Sequence, residues 1–254
     1  MIQILLSGCR GRMGRVITDM VQGDPALRIA AGLDPSAGAP LPYPVFASPM
    51  EYTGTADGIL DFSCPAALDD LLRYATAHRI PIVLATTGYS PAQLEQIQAA
   101  AAQIPIFRSA NMSIGINVRI DLVRRAAAAL EGYDIEVIER HHNQKVDAPS
   151  GTALMLANAA AESLPYQPEY VYDRSGRRAR RDPREIGLSA VRGGTIVGEH
   201  TVLFAGHDEV IELHHSAQSR ELFATGAIRA VKYLARVSQP GMYDMQRLLH
   251  DELG

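Results

Sequence analysis

Residues 2–14 read IQILLSGCRGRMG. The first seven are mostly apolar, as in a strand covered on both faces. Gly8, Gly11 and Gly14 then follow at G-x-x-G-x-x-G spacing, and an amphipathic stretch, 12–22, begins inside that loop. Strand, glycine turn and helix in this order form the opening of a dinucleotide-binding βαβ unit. Glycines permit the tight turn and let backbone N–H groups reach a pyrophosphate, while the helix N-terminus favours its charge. Such a unit needs a carboxylate for the ribose hydroxyls about 20 residues further on. Asp34 closes the next apolar run, LRIAAGLD (27–34). The bland alternative is a tight turn with no ligand.

The alternation continues outward. GILDFS (58–63), IPIVLATTG (80–88) and IPIFRSAN (104–111) read as strands, with helical patterns over 65–78 and 90–103. Apolar strands separated by helices predict a parallel sheet covered on both faces. Ser90-Pro91 and Ser63-Cys64-Pro65 look like N-caps before a first-turn proline. The strand ends ATTG (85–88) and SANM (109–112) fall where open parallel sheets bind ligands.

After Asn111 the texture changes. A helix is predicted over 112–130, a strand over 133–142, a helix over 150–163, a polar arginine-rich stretch over 164–185 and strands within 186–216. Strands without regular crossovers predict a second, α+β domain. Helices over 222–237 and 242–253 complete the reading.

Composition excludes several classes. The chain has 254 residues, 47% hydrophobic and 20% charged, with formal net charge -4. That is ordinary globular composition, and it predicts neither a nucleic-acid nor a membrane partner. The apolar N-terminus is too short for a secretory signal and no stretch suits a membrane span, so a cytoplasmic setting is expected. Cys9 and Cys64 match no metal spacing. RSGRRARR (174–181) lacks interleaved aromatics and reads as a solvated loop.

HHNQKVDAPSGTA (141–153) carries the chemistry. Ser150 is a predicted N-cap, with N–H groups at Gly151 and Thr152 open to an anion. His141, His142 and Lys145 precede that helix start, which makes a carboxylate pocket with a histidine able to act as general acid. No cysteine or carboxylate completes a metal set, and His214-His215 has no such company.

SGCRGRMG, DFSCP, LATTGY, SANMSIGIN, ERHHNQKVDAPSGTA and VRGGTIVGEHTVLF together resemble the dihydrodipicolinate reductase family, over nearly the whole chain. The resemblance implies an α/β fold. A Rossmann-like dinucleotide-binding domain (1–112 and 221–254) joins a smaller α+β substrate-binding domain (113–220) that builds a homotetramer. It implies NAD(P)H-dependent reduction of a cyclic dicarboxylate imine in diaminopimelate and lysine biosynthesis. By the same resemblance, Gly8, Cys9, Arg10, Gly11, Arg12 and Met13 form the pyrophosphate loop and Asp34 holds the adenosine ribose. Ala85, Thr86 and Thr87, with alanine for a usual glycine, flank the nicotinamide ribose. Ser109, Ala110, Asn111 and Met112 position the nicotinamide. His141 and Lys145 become the proton donors, and His142, Lys145, Gly151 and Thr152 the substrate-carboxylate ligands. Pro35 stands where many relatives place a phosphate-pairing arginine, so NADH is expected to be preferred, with NADPH possible through Arg10. Another two-domain dehydrogenase or a non-catalytic nucleotide sensor would have no use for the His141–Lys145 segment.

Overall fold

The computed structural model describes residues 1–253. The chain divides into two units, Met1–Ile114 with Glu221–Gly254, and Gly115–Arg220.

In the first unit β1 (Ile2–Ser7), α1 (Arg12–Gln22), β2 (Leu27–Leu33), β3 (Val45–Phe46), β4 (Gly58–Asp61), α2 (Leu68–His78), β5 (Ile82–Leu84), α3 (Pro91–Ala101) and β6 (Pro105–Arg108) follow in order. All these strands are parallel. Alternation along each strand builds two cores. Ile4, Leu6, Val83 and Phe107 pack with Ile17, Ala227, Leu234 and Leu248, whereas Leu5, Ile59, Ile82 and Ile106 pack with Leu71, Tyr74 and Ile97. Burying one apolar side chain of this kind is worth about 1.5–3 kcal/mol, so the two-sided cover is the main stabilising feature of the sheet.

In the second unit, α4 (Ile114–Ala129), which starts at the division, leads into β7 (Asp134–His141), α5 (Gly151–Ala161), β8 (Glu169–Val171), β9 (Glu185–Arg192), β10 (Gly198–Ala205) and β11 (Val210–Ala217). The chain then returns to the first unit as α6 (Glu221–Leu234), β12 (Gly241–Tyr243) and α7 (Met245–Leu253). The first sheet has the order β12-β6-β5-β4-β1-β2-β3, and the second is mixed, β11-β10-β7-β9-β8. One face of the second sheet supplies Ile135, Val137, Leu188, Val202 and Phe204 to a core with Ile120 and Val123 of α4 and Leu156 and Ala160 of α5. The other face is uncovered within the unit.

Several local expectations change. The helix expected over 242–253 starts at Met245, because Gly241–Tyr243 pairs as an edge strand with Pro105–Phe107. The apolar run 80–88 is strand only at Ile82–Leu84, and 85–88 is loop. Ser90 caps α3 through a full capping box with Gln93, but Ser63 caps nothing. Its hydroxyl turns back to donate to Asp61 Oδ1 at 2.5 Å, and Cys64, which caps the short 3-10 turn Pro65–Ala67 ahead of α2, makes no side-chain cap bond. The arginine run is not simply a solvated loop. Arg174, Arg177 and Arg181 pair with Glu136, Glu169, Glu185 and Asp134 at 2.5–3.2 Å and tie the loop to the starts of β7, β8 and β9, while Arg178 and Arg180 stay exposed. Among the described residues, no helix is long and apolar enough to cross a membrane.

Candidate functional site

The glycine loop of the first unit is sterically forced. Gly8 has φ +76°, and a Cβ there would sit 2.6 Å from the Phe62 carbonyl oxygen; one on Gly14 would collide with the Gly8 carbonyl. Gly11 occupies the N-cap of α1, so no side chain covers the orphan N–H groups of Arg12 and Met13. Cys9 is buried, which pushes its thiol up to about 11 and leaves it inert at neutral pH. Asp34 Oδ2 accepts from the Arg10 backbone N–H at 3.1 Å and Oδ1 from that of Ser36 at 3.0 Å. Asp34 therefore borders two hollows. One, about 470 Å³, is lined by Gly8, Gly11, Ser36, Phe62 and Ser63; the other, about 620 Å³, by Arg10, Arg15, Ser36 and Gly38. An uncapped helix start, a glycine cradle and a carboxylate with spare lone pairs suit a dinucleotide's pyrophosphate and ribose diol.

The other strand ends of this unit differ among themselves. Ala85 and Thr87 are accessible, whereas Thr86 is buried beside Tyr89. The fully buried Asp61 accepts from the Ser63 N–H and hydroxyl and from the Tyr89 hydroxyl at 3.4 Å. Burial, then the Asp61 charge, drives the Tyr89 phenol well above its ordinary range. The Ser109 hydroxyl donates to the Asn111 carbonyl at 3.0 Å. Met112 is packed into the hydrophobic core with Ala224 and Ile228, which leaves Ser109, Ala110 and Asn111 as the accessible part of the segment.

In the second unit the inward face of β7 runs Ile135, Val137, Glu139, His141, apolar and then polar. On β10 it runs Phe204, Val202, His200, Gly198. The polar ends meet at the start of α5, where Ser150 Oγ accepts from the Ala153 N–H and lies 3.0 Å from His200 Nε2. Glu139 is fully buried and fully engaged. Oε2 lies 2.6 Å from His141 Nδ1, Oε1 accepts from the Ser150 N–H at 2.9 Å, and Arg192 donates to both oxygens at 2.7 and 2.8 Å. Burial pushes the Glu139 carboxyl up, but Arg192, His141 and the Ser150 N–H together outweigh it and hold it below the usual range. Nε2 of His141 makes no hydrogen bond to the protein among the described residues; a Cβ on Gly198 would sit 3.0 Å from it.

Lys145 Nζ donates to Asp147 at 2.7 and 2.9 Å, and that bond holds the Asp147 carboxyl low. Gly151 faces open space, and His142 lies one residue beyond the strand. The structure thus gathers His141, His142, Lys145, Gly151 and Thr152 around one strand end and one helix start. Glu139, Arg192, Ser150 and His200 were not singled out as site residues from the sequence. Glu139 had a signal, being two residues before His141 on an alternating strand. Arg192 stands in the resembling stretch VRGGTIVGEHTVLF, but nothing there pointed to His141, since only the parallel register pairing His141 with Arg192 brings the two together.

A dinucleotide cradle in one unit and a cationic, proton-bearing helix start in the other define the class: an NAD(P)H-dependent oxidoreductase. Residues 2–112 match "Dihydrodipicolinate reductase, N-terminus" and residues 115–249 "Dihydrodipicolinate reductase, C-terminus". The chain belongs to the dihydrodipicolinate reductase family. It is 50% identical over 249 residues to 4-hydroxy-tetrahydrodipicolinate reductase from Caldanaerobacter subterraneus subsp. tengcongensis, with 98% of each chain covered. It is 48% identical over 250 residues to the protein of that name from Clostridium novyi, again with 98% of each covered. The solved dipicolinate-bound dihydrodipicolinate reductase from Paenisporosarcina sp. TG-14 superposes with TM-score 0.80 at 25% identity, covering 96% of this chain and 97% of that one.

Proposed function

We propose that the protein reduces (2S,4S)-4-hydroxy-2,3,4,5-tetrahydrodipicolinate to 2,3,4,5-tetrahydrodipicolinate with loss of water, as a cytoplasmic enzyme of diaminopimelate and lysine biosynthesis. The observation that carries this reading is the strand end at His141 facing the α5 start, with Lys145 beside it. Gly8 to Met13 hold the pyrophosphate and Asp34 the adenosine ribose. Ala85, Thr87 and Ser109 to Asn111 hold the nicotinamide end, with Met112 packed beneath them. The bound nicotinamide supplies a hydride to the conjugated ring carbon C4.

This chain's own residues do the rest. His142, Lys145, the N–H groups of Gly151 and Thr152 and the Thr152 hydroxyl hold the substrate carboxylates. The Asp147 carboxylate is largely exposed, so its pair with Lys145 is a surface pair worth about 0–1 kcal/mol. A substrate carboxylate therefore exchanges with it at little cost. The C4 hydroxyl leaves as water with a proton from the adjacent ring carbon C5, which creates the conjugated ring. Once hydride reaches C4, His141 Nε2 or Lys145 Nζ returns one proton to C5 and quenches the charge developing through the ring. NADH is the preferred donor and NADPH the poorer one. The assembly is a homotetramer built on the uncovered face of the second sheet.

The test is a nicotinamide absorbance assay with freshly generated substrate. Substrate-dependent oxidation of NADH or NADPH supports the reading, and none with either overturns it.

A further inference from the structure

Glu139 and Arg192 form a bidentate ion pair directly behind His141, and Glu139 has no surface left to touch a ligand. Glu139 is fully buried, and its two oxygens are consumed by four protein donors. With the carboxylate held ionised, the proton on Nδ1 is fixed as the donor to Oε2. His141 then has one defined tautomer, with Nε2 as its only chemically available nitrogen. Beside Nε2 stands Gly198, which leaves room on that side that any side chain would fill.

Arg192 adds a second connection. The guanidinium that grips Glu139 also donates to the Asp147 carbonyl at 2.7 Å, and Asp147 carries the carboxylate that holds Lys145. The backbone turn is tied to the same place, because the Gly193 N–H donates to the His141 carbonyl at 2.9 Å and the Asn143 N–H to the Gly194 carbonyl at 3.2 Å. One arginine therefore spans both prospective proton donors.

We propose that Glu139 and Arg192 are positioning residues for the reduction, Glu139 fixing the tautomer of His141 and stabilising its imidazolium, and Arg192 holding His141 and Lys145 in one frame. This rests on the reading of His141 as a proton donor in the reductase reaction. An orienting carboxylate behind a proton-transferring histidine can be worth up to about 10⁴-fold, because without it the wrong nitrogen carries the proton. The other titratable and charged groups near His141 are few. His200 from β10 stands ring to ring at 5.0 Å and 76°, with the Arg119 guanidinium of α4 behind it, and Lys145, Asp147 and His142 lie in the loop. Burial and then Arg119 keep His200 neutral, with its pKa down at about 3. Glu139 is thus the anion in direct contact with the His141 ring.

The experiment is a kcat–pH profile of the full-length enzyme and three variants, Glu139→Gln, His141→Gln and the double variant. A general acid must be protonated, so wild-type kcat falls on the alkaline side. Glu139→Gln removes the imidazolium's counter-ion. It should lower kcat at least about tenfold and move that alkaline limb to lower pH, with the KM for NADH within about twofold. In the His141→Gln background the same change should cost almost nothing further. An unmoved limb, or penalties that multiply in the double variant, overturns the proposal. Should Glu139→Gln fail to fold, Arg192→Gln decides the question with the opposite sign. It leaves the Glu139 charge undivided on His141, so the limb should move to higher pH, and a limb that stays put or moves down overturns the proposal. A wild-type enzyme inactive on the substrate would instead overturn the reductase reading itself.

Discussion

The Arg10 backbone N–H donates to Oδ2 of Asp34 at 3.1 Å, so the glycine loop and the end of the second strand hold one another in place. Each Asp34 oxygen takes one backbone bond and keeps lone pairs for a ribose hydroxyl. The Arg10 side chain lines the same hollow of about 620 Å³ as Asp34 but is already engaged there, its Nη1 donating to the Ala39 carbonyl at 2.7 Å, and Pro35 offers no donor at all. A 2′-phosphate would therefore meet the Asp34 carboxylate first. The expected outcome is a higher kcat/KM with NADH than with NADPH, narrowed by Asp34→Asn. If NADPH wins by more than about tenfold, or ~1.4 kcal/mol, the reading of Asp34 and Pro35 is wrong. Arg10→Ala should then reverse the preference if Arg10 is the cause.

His141 and Lys145 belong to the second unit and the glycine loop to the first. His141→Gln and Lys145→Ala should each lower kcat by about 10²–10⁴-fold, the usual worth of a general acid or base. NADH affinity, measured by fluorescence titration without substrate, should be unchanged. Full kcat in either single variant would remove that residue from the proton-transfer role.

Much of this was legible because the first unit speaks in periodicities. Its strands are apolar on both faces, and the Gly8–Gly14 loop and Asp34 fall at intervals set by the fold. The edge strand Gly241–Tyr243 was not legible, since three residues carry no period and its place is set by a backbone ladder with β6. Capping was legible where a Pro followed Ser at once, as at Ser90, and misread at Ser63, where the buried Asp61 claims the hydroxyl. In the second unit His141 and Lys145 announced themselves by chemistry, but their supports did not. Arg192 and His200 lie far along the chain and meet Glu139 and His141 only through strand register. A register is a tertiary fact, and one sequence does not print it.

The uncovered face of the second sheet presents Ile138, Leu203, Val191 and Val210, the last two 46% and 56% exposed. A half-apolar open sheet is normally covered in solution, and pairing with a symmetry mate covers it on both sides at once. Light scattering at micromolar concentration should give four times the 27.5 kDa chain mass. Leu203→Arg, which puts a charge in the middle of that face, should lower the mass. A monomeric wild type would rule the tetramer out.

His200 sets an acid limit on stability. It is buried against Ser150, with the Arg119 guanidinium donating to its carbonyl at 2.7 Å; Arg119 is 4% exposed, and desolvation brings its own pKa down to about 10. Burial first, then the Arg119 charge, lowers the His200 pKa from 6.5 to about 3. Above pH 6.5 the ring is neutral in both folded and unfolded chains and costs nothing. As pH falls from 6.5 towards 3 the unfolded chain gains a proton that the folded one refuses, so stability is lost at about 1.4 kcal/mol per pH unit from this group alone. His215, lowered by burial and by Arg119, adds to the loss in the same direction. His200→Gln keeps a donor for the Ser150 hydroxyl but takes up no proton. Urea unfolding at pH 7.5 and pH 5.0, at one fixed protein concentration, should show a smaller acid loss in His200→Gln than in wild type, by about 2 kcal/mol. Equal losses in the two proteins would mean that His200 is protonated as readily when folded as when unfolded.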